Sequence, residues 1–115
     1  IGPEGAKLIG QALRNSVNAS LTELSVADNN LGPSGAQAIA EGIKATKSLK
    51  KLDISNRNGS SSGDIKSEGA KYIAEAIAVN ASLTSINLSD NLIHSEGAKA
   101  LAPALRDNTS LTYLW

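Results

Sequence analysis

Few residues in this chain have the types that catalysis or metal binding requires. His94 is the only histidine, and the 115 residues include no cysteine. A zinc site needs several His or Cys ligands, and a nucleophilic triad needs a histidine held between a nucleophile and an acid. No Gly-x-x-x-x-Gly-Lys-Ser/Thr sequence occurs that could cradle a phosphate. We therefore expect a non-enzyme with no catalytic residue, metal, cofactor or small-molecule substrate, and we interpret His94 as an exposed loop residue.

The charge balance narrows the choice of partners. Eleven Lys and Arg residues are matched by eleven Asp and Glu residues, so the net charge is zero. Nucleic acids and anionic membranes are bound through a positive field, which this composition does not supply. No apolar run approaches the ~20 residues that span a bilayer. We expect another protein as partner, with no nucleic acid and no membrane, and the lack of cysteine fits a cytoplasmic or otherwise intracellular protein.

The sequence repeats itself at wide separation. The words Val-Asn-Ala-Ser-Leu-Thr at 17–22 and Ser-Glu-Gly-Ala-Lys at 67–71 return at 79–84 and 95–99. If the leucine after each turn is position one, the repeats begin 28, 34 and 28 residues apart, at Leu21, Leu49, Leu83 and Leu111. We predict one repeat unit over 1–115, divided into a partial repeat 1–20, a repeat 21–48, a repeat 49–82 with six inserted residues, a repeat 83–110 and the start of another at 111–115.

Each repeat combines two hydrophobic periods. The alternation Leu21-x-x-Leu24-x-Val26 is that of a short strand with one buried face, and it recurs after Leu49 and Leu83. A second stripe has the i, i+3, i+4, i+7 spacing of a helix. It is found at Ala36, Ile39, Ala40 and Ile43, and again at Ala6, Ile9, Gly10 and Leu13, at Ala70, Ile73, Ala74 and Ile77, and at Ala98, Leu101, Ala102 and Leu105. Each repeat is therefore predicted to hold one strand and one helix.

This order of elements predicts an α/β fold, a right-handed β/α superhelix. A strand that returns through a helix adds parallel to its predecessor, and such crossovers are right-handed almost without exception. Helices are ~10 Å wide, whereas paired strands lie ~4.8 Å apart. The helices must therefore take the longer convex arc, and the strands line the concave side.

The boundaries of the helices suit this plan. Ser34, Ser67 and Ser95 are placed where N-caps are needed, and Glu68 and Glu96 put negative charge in the first turn. Pro103 does not fit. Inside the last helix it removes a donor and crowds the preceding turn, at ~3 kcal/mol. We predict a kink there or a helix that ends early.

The strand pattern resembles a known family. Leu21-x-x-Leu24-x-Val26-x-x-Asn29-x-Leu31 is similar to the leucine-rich-repeat consensus, as is the segment from Leu83 to Ile93. The 28-residue period and the recurrent Gly-Ala at the helix starts resemble the ribonuclease-inhibitor-like class, which includes ribonuclease inhibitors, NOD-like receptor repeats, the Ran GTPase-activating protein and the tropomodulins. The resemblance implies a leucine-rich-repeat solenoid. Ile1 matches Leu31 and Trp115 leaves a repeat unfinished, so we expect a fragment of a longer array.

The family's asparagine is expected to bond backbone groups where the strand ends. Asn29 and Asn91 match it, but Arg57 stands at that count in the middle repeat. Either Asn56 or Asn58 takes over the turn, or the ladder is locally broken. The Gly- and Ser-rich run 58–64 is predicted to form a mobile loop.

The strand residues that flank the buried positions should face the concave surface, which the relatives use most for partners. They are Glu23, Ser25, Ala27, Lys51, Asp53, Ser55, Ser85, Asn87, Ser89, Tyr113 and Trp115. Tyr and Trp are common interface anchors. The alternative is that these are solvated strand positions and that Tyr113 and Trp115 pack on a further repeat.

The main functional hypothesis is a non-catalytic protein-binding module or scaffold that presents its concave strand surface to another protein. A second hypothesis is a regulatory activator of a small GTPase, since the Ran GTPase-activating protein contacts its GTPase through loops after the strands and Arg57 lies in such a loop. A third is an architectural or sensing segment of a larger assembly or NOD-like receptor.

Overall fold

The computed structural model of the chain describes residues 1–15, 20–57 and 63–115. Helices and strands alternate along the described chain. In order, they are α1 (Gly2–Asn15), β1 (Glu23–Ser25), α2 (Gly32–Ala45), β2 (Lys51–Asp53), α3 (Lys66–Val79), β3 (Ser85–Asn87), α4 (His94–Asp107) and β4 (Tyr113–Leu114). The prediction of one strand and one helix per repeat is confirmed at every described element.

The strands form one parallel sheet in the order β1-β2-β3-β4. Glu23 pairs with Lys51, Lys51 with Ser85, and Ser85 with Tyr113, so equivalent positions lie side by side. The ladder continues past the short strands, because the Ile54 N–H donates to the Asn87 carbonyl at 3.0 Å. The fold is the expected right-handed β/α solenoid, with the strands on its concave side and the helices on its convex side.

The core lies between the sheet and the helices, in layers that each repeat supplies. Leu49, Leu52 and Ile54 of the middle repeat are at most 2 % exposed. The helical stripes of α2 and α3 meet them and are buried at all eight positions: Ala36, Ile39, Ala40, Ile43, Ala70, Ile73, Ala74 and Ile77. A core of small aliphatic side chains therefore suffices, because each layer is one repeat thick.

The outer repeats are less buried than the sequence predicted. Ala98 and Ala102 of the α4 stripe are exposed, and Leu21 is 44 % exposed. Among the described elements, α4 has a helical neighbour only on its α3 side, and β1 has a strand neighbour only on its β2 side. These side chains lie on the sides of the described structure that carry no further described repeat, whereas the same positions of α2 and α3 are buried.

Neighbouring helices approach through glycine and alanine. A Cβ placed on Gly69 would lie 3.1 Å from Ala36 Cβ, and one on Gly97 would lie 3.1 Å from Ala70 Cβ. At the α1–α2 contact, a Cβ on Gly10 would collide with the backbone carbonyl oxygen of Ala38. Small residues at these positions let the helices follow the narrow spacing of the strands.

The helix starts differ from the prediction, which put N-caps at Ser34, Ser67 and Ser95. The residues that precede the helices are apolar, make no side-chain cap bond, and are Leu31, Ile65 and Ile93. Each helix then begins with a residue in the left-handed region, φ +65° at Gly32, +60° at Lys66 and +56° at His94. The three serines lie inside the first turn, so the cap assignment was wrong. His94 is exposed, as expected, but it opens α4 and does not lie in a loop.

The next repeat takes over the capping role. The N–H of Ile65 donates to Asn91 Oδ1 at 3.2 Å, and the N–H of Lys66 donates to the Asn91 carbonyl at 2.9 Å. Ser67 Oγ donates across the same boundary to the Ile93 carbonyl at 2.6 Å. The start of α3 is therefore tied to the following turn, which local cap rules do not anticipate.

The α4 helix runs through Pro103 to Asp107, so the expectation that it ends early was wrong. Pro103 and Lys99, whose carbonyl loses its usual donor, are both exposed. Water can solvate that carbonyl on the outer side of the helix. The proline is tolerated because it lies on the face of the helix that packs against nothing described.

Replacing His94 by glycine should raise the free energy of unfolding by about 0.5–1 kcal/mol, because a side chain at left-handed φ is strained and glycine is not. Gly32 already holds the equivalent place in α2. Urea unfolding followed by circular dichroism measures the change. The control variant Lys99→Gly, at an exposed position inside the helix, should have a free energy of unfolding about 1 kcal/mol lower than the parent. A loss of that size in His94→Gly would contradict the strain argument.

Candidate functional site

The outward side of the sheet carries the predicted concave residues in two rows. Glu23, Lys51, Ser85 and Tyr113 are cross-strand neighbours, and Ser25, Asp53 and Asn87 form the second row, which Trp115 extends. All eight are exposed or half-buried. We call them the sheet face. All but Tyr113 border one open depression of about 480 Å³. The structure therefore brings the sequence-predicted residues together, with Ala27 and Ser89 half-buried at the margin.

The first row contains the sheet face's ion pair. Lys51 Nζ lies 3.4 Å from Glu23 Oε1, and the two side chains are 63 % and 66 % exposed. An exposed pair of this kind contributes ~0–1 kcal/mol to stability. Both charges can consequently turn to a partner at little cost to the fold.

The second row is engaged in turns. Asp53 Oδ1 accepts bonds from the Ser55 N–H at 3.0 Å and from Ser55 Oγ at 2.7 Å. Asn87 Oδ1 accepts one from the Ser89 N–H at 2.9 Å. These side chains close the chain where the strands end. Ser55 is only 1 % exposed, so its assignment to the concave surface was wrong; its hydroxyl turns toward Asp53.

Two aromatic residues lie at the β4 end of the sheet face. Tyr113 is 62 % exposed and Trp115 is 67 % exposed. The Trp115 backbone is fixed on both sides, since its N–H donates to the Ile86 carbonyl at 3.0 Å and its carbonyl accepts from the Leu88 N–H at 2.8 Å. Trp115 therefore has a fixed backbone position, and it borders the same depression as Asn87.

Arg57 is exposed directly after the extended segment that follows β2. The asparagine role expected near it is filled differently from Asn29 and Asn91: Asn56 is buried, and its Nδ2 donates to Asp64 Oδ1 at 2.7 Å. This side-chain pair joins the two ends of the insertion. Asn58 and residues 58–62 of the predicted mobile loop lie outside the described residues, so the prediction for them is not tested.

Sequence reasoning missed a second row of asparagines, before the strands. Asn80 is 5 % exposed; its Nδ2 donates to the carbonyls of Ile43 at 2.9 Å and Thr46 at 3.3 Å, in the preceding repeat. Its Oδ1 accepts from the N–H groups of Ser82 and Leu83. Asn108 makes the equivalent bonds one repeat later. The signal in the sequence is an asparagine three residues before Leu83 and again three residues before Leu111.

Within 1–15, 20–57 and 63–115, no group of three or more His, Cys, Asp or Glu side chains is arranged to hold a metal ion. The hydrogen bond and charge of Arg106 lower the pKa of Asp107, whose carboxylate raises the pKa of Arg106 in turn; both are exposed on α4. No described helix is long and apolar enough to cross a membrane.

Comparison with known proteins agrees with this geometry. A family model described as Leucine Rich repeat matches residues 17–40 and 79–102, which each join a strand to the helix that follows. These two segments are leucine-rich repeats. The search of the curated proteins found no match.

The chain also resembles solved structures in its fold. It resembles the actin-binding site 2 of leiomodin-1, at a TM-score of 0.82 and 25 % identity over 99 % of its length. It also resembles a tropomodulin C-terminal domain from Caenorhabditis elegans, at 0.76 and 18 % over 97 %. The chain spans 62 % of each of those structures.

Asn80→Ala should lower the free energy of unfolding by about 2–4 kcal/mol, because it leaves buried carbonyls and N–H groups without partners. Asn108→Ala, the same change at a half-buried turn, should lose less, since water can replace the amide there. Chemical unfolding of the two variants beside the parent measures both. A loss under 1 kcal/mol at Asn80 would show that this amide does not hold the repeats together, and equal losses at the two positions would show that burial does not set the size of the effect.

Proposed function

We propose that this leucine-rich-repeat chain is a non-catalytic protein-binding module and that the sheet face receives its partner. The observation that carries the proposal is the exposed Trp115 beside a polar depression on a hydrogen-bonded sheet. Tryptophan and tyrosine supply large contact areas with little entropy to lose, and they dominate many interfaces. Glu23, Lys51 and Ser85 would surround that aromatic anchor with polar contacts.

Rigidity supports this assignment. The backbone ladder continues through Ile54 and Asn56 to the following repeat, and Asp53 and Asn87 lock the turns beyond the strands. A partner would therefore meet a surface that is already ordered, so little conformational entropy is lost on docking. Side-chain identity, with Glu23 and Lys51 free to exchange partners, would set specificity.

Actin is the partner to test first. The leiomodin-1 structure that this chain resembles is described as an actin-binding site, which supports a protein partner in general and actin in particular. The ribonuclease-inhibitor-like class, the scaffold role and an intracellular location belong to the same proposal. The small-GTPase alternative rests on Arg57 alone, and an architectural or sensing role in a larger assembly is compatible with the same surface.

Trp115→Ala combined with Glu23→Lys should weaken partner binding at least about 30-fold, the effect of losing a hot-spot anchor of ~2 kcal/mol. Cosedimentation with filamentous actin measures it for actin, and quantitative pull-down from lysate measures it for other proteins. Asp53 is left unchanged because its carboxylate holds the turn.

The matched control is Leu8→Ala combined with Glu68→Lys, which changes the net charge by the same amount and in the same direction at an exposed position of α3. Leu8 on α1 is 68 % exposed, as Trp115 is 67 %, but it lies on the helical side. The control should bind like the parent. If actin does not bind while other partners are lost with the sheet-face variant alone, the module stands and actin is rejected. Partners retained equally by both variants would contradict the sheet-face proposal.

A further inference from the structure

A second surface lies at the edge of the sheet where the strands begin. Lys44, Lys47 and Lys50 surround a depression of about 360 Å³ whose remaining wall comes from the end of α2, the end of α3 and the turn that follows α3. That wall is Thr46, Val79, Asn80, Ala81 and Ser82. We call these eight residues the basic edge. It includes three lysines and no carboxylate, in a chain whose net charge is zero.

Two of the three lysines have no compensating charge. Lys44 Nζ lies 3.4 Å from Glu41 Oε1 and 3.8 Å from Glu75 Oε2. Over the part of the chain that the structure describes, neither Lys47 nor Lys50 forms an ion pair, and both are exposed. Their positive charge is therefore available to a partner.

The floor of the depression is fixed. Asn80 donates to the carbonyls of Ile43 and Thr46, at the end of α2, and so satisfies groups that would otherwise draw the lysine ammonium groups inward. The Asn80 oxygen holds the N–H groups of Ser82 and Leu83. The lysines are therefore held by backbone whose carbonyl and N–H groups near Asn80 already have hydrogen-bond partners.

The rim of the depression is apolar on its α3 side. Val79 is 66 % exposed, and Ala81 is also exposed. An apolar group of a ligand that covers Val79 would remove apolar surface from water. A ligand that suits this edge carries negative charge for Lys47 and Lys50 and an apolar group for Val79.

Adjacent lysines belong to different surfaces. Lys51 lies in β2 on the sheet face and pairs with Glu23, whereas Lys50 lies just before the strand and borders the basic edge. Successive residues of an extended chain point to opposite sides. The basic edge is therefore separate from the surface proposed above and can be tested separately.

We propose that the basic edge binds an acidic segment of another protein, one that alternates carboxylates with apolar side chains. The charge complementarity is local: two unpaired lysines in one depression match a short run of Asp or Glu. A nucleic acid is a poorer match, because its phosphates need a long positive track and offer no group for Val79.

The test uses the whole chain and a short fluorescein-labelled peptide that repeats Glu-Glu-Leu, with fluorescence polarisation as the readout. The parent should bind this peptide, and an analogue repeating Gln-Gln-Leu should not bind. Lys47→Glu combined with Lys50→Glu should weaken binding at least about tenfold. Lys7→Glu combined with Lys71→Glu, which changes the net charge equally on exposed helix positions, should stay within about twofold of the parent.

Further measurements distinguish an acidic peptide from RNA or a second copy of this chain as the ligand of the basic edge. Val79→Ser should weaken binding of the Glu-Glu-Leu peptide but leave a peptide of glutamate alone unaffected. Equal losses in the two lysine pairs would overturn the proposal, as would tight binding of the Gln-Gln-Leu analogue. A single-stranded RNA that binds more tightly than the acidic peptide would overturn it in favour of nucleic acid. So would sedimentation that shows a dimer of this chain dissolved by Lys47→Glu with Lys50→Glu.

Discussion

The close spacing of the parallel strands is the constraint on which the structure depends. Backbone hydrogen bonds hold neighbouring strands ~4.8 Å apart, whereas helices prefer 8–10 Å between their axes. The chain meets both demands by curving and by letting the helices approach through glycine and alanine, as Gly69 does against Ala36. The same curvature puts the strands on the concave side. Such short strands need support beyond their own backbone hydrogen bonds. Buried asparagines provide it at both ends of the strands, as Asn80 does before β3 and Asn91 does after it.

The sequence carried the periodic part of this structure. The spacing of Leu49, Leu52 and Ile54 predicts a strand, and the apolar spacing from Ala36 to Ile43 predicts a helix. Burial of one face imposes each period on the apolar residues, so the sequence shows it. The positions that could not be predicted depend on contacts between repeats. Ser67 has the type of an N-cap, yet it bonds the Ile93 carbonyl of the next turn. Asn80 reads as a turn residue until the carbonyls of the preceding repeat are placed against it.

The candidate site shows the same division. That Glu23, Lys51 and Trp115 would be exposed on one side of the strands follows from strand alternation, which is a local rule. Alternation could not show that the Ser55 side chain turns inward to Asp53, since β2 ends at Asp53 and a side-chain hydrogen bond decides the direction at Ser55. Nor could it show that Asp53 and Asn87 serve the fold. Without the structure, a charge reversal at Asp53 would have mixed loss of binding with loss of a turn.

Two neighbouring lysines illustrate how a repeat protein can carry more than one binding surface. The strand direction puts Lys51 on the sheet face and Lys50 on the basic edge, and each is repeated by the equivalent positions Ser85 and Thr84 in the next repeat. Because the buried residues between them set the fold, either surface can change its side chains without disturbing the other. The N–H groups of Thr84 and Ser85 donate to the Lys50 carbonyl from the backbone, and Thr84 Oγ1 adds a side-chain bond to the same carbonyl at 3.1 Å. Glu23, Lys50 and Lys51 can therefore vary with the partner, because the fold does not depend on their exposed side chains. Asp53, Asn87 and Asn80 lie in the same two surfaces but also hold turns or neighbouring repeats together, so they serve the shape as well.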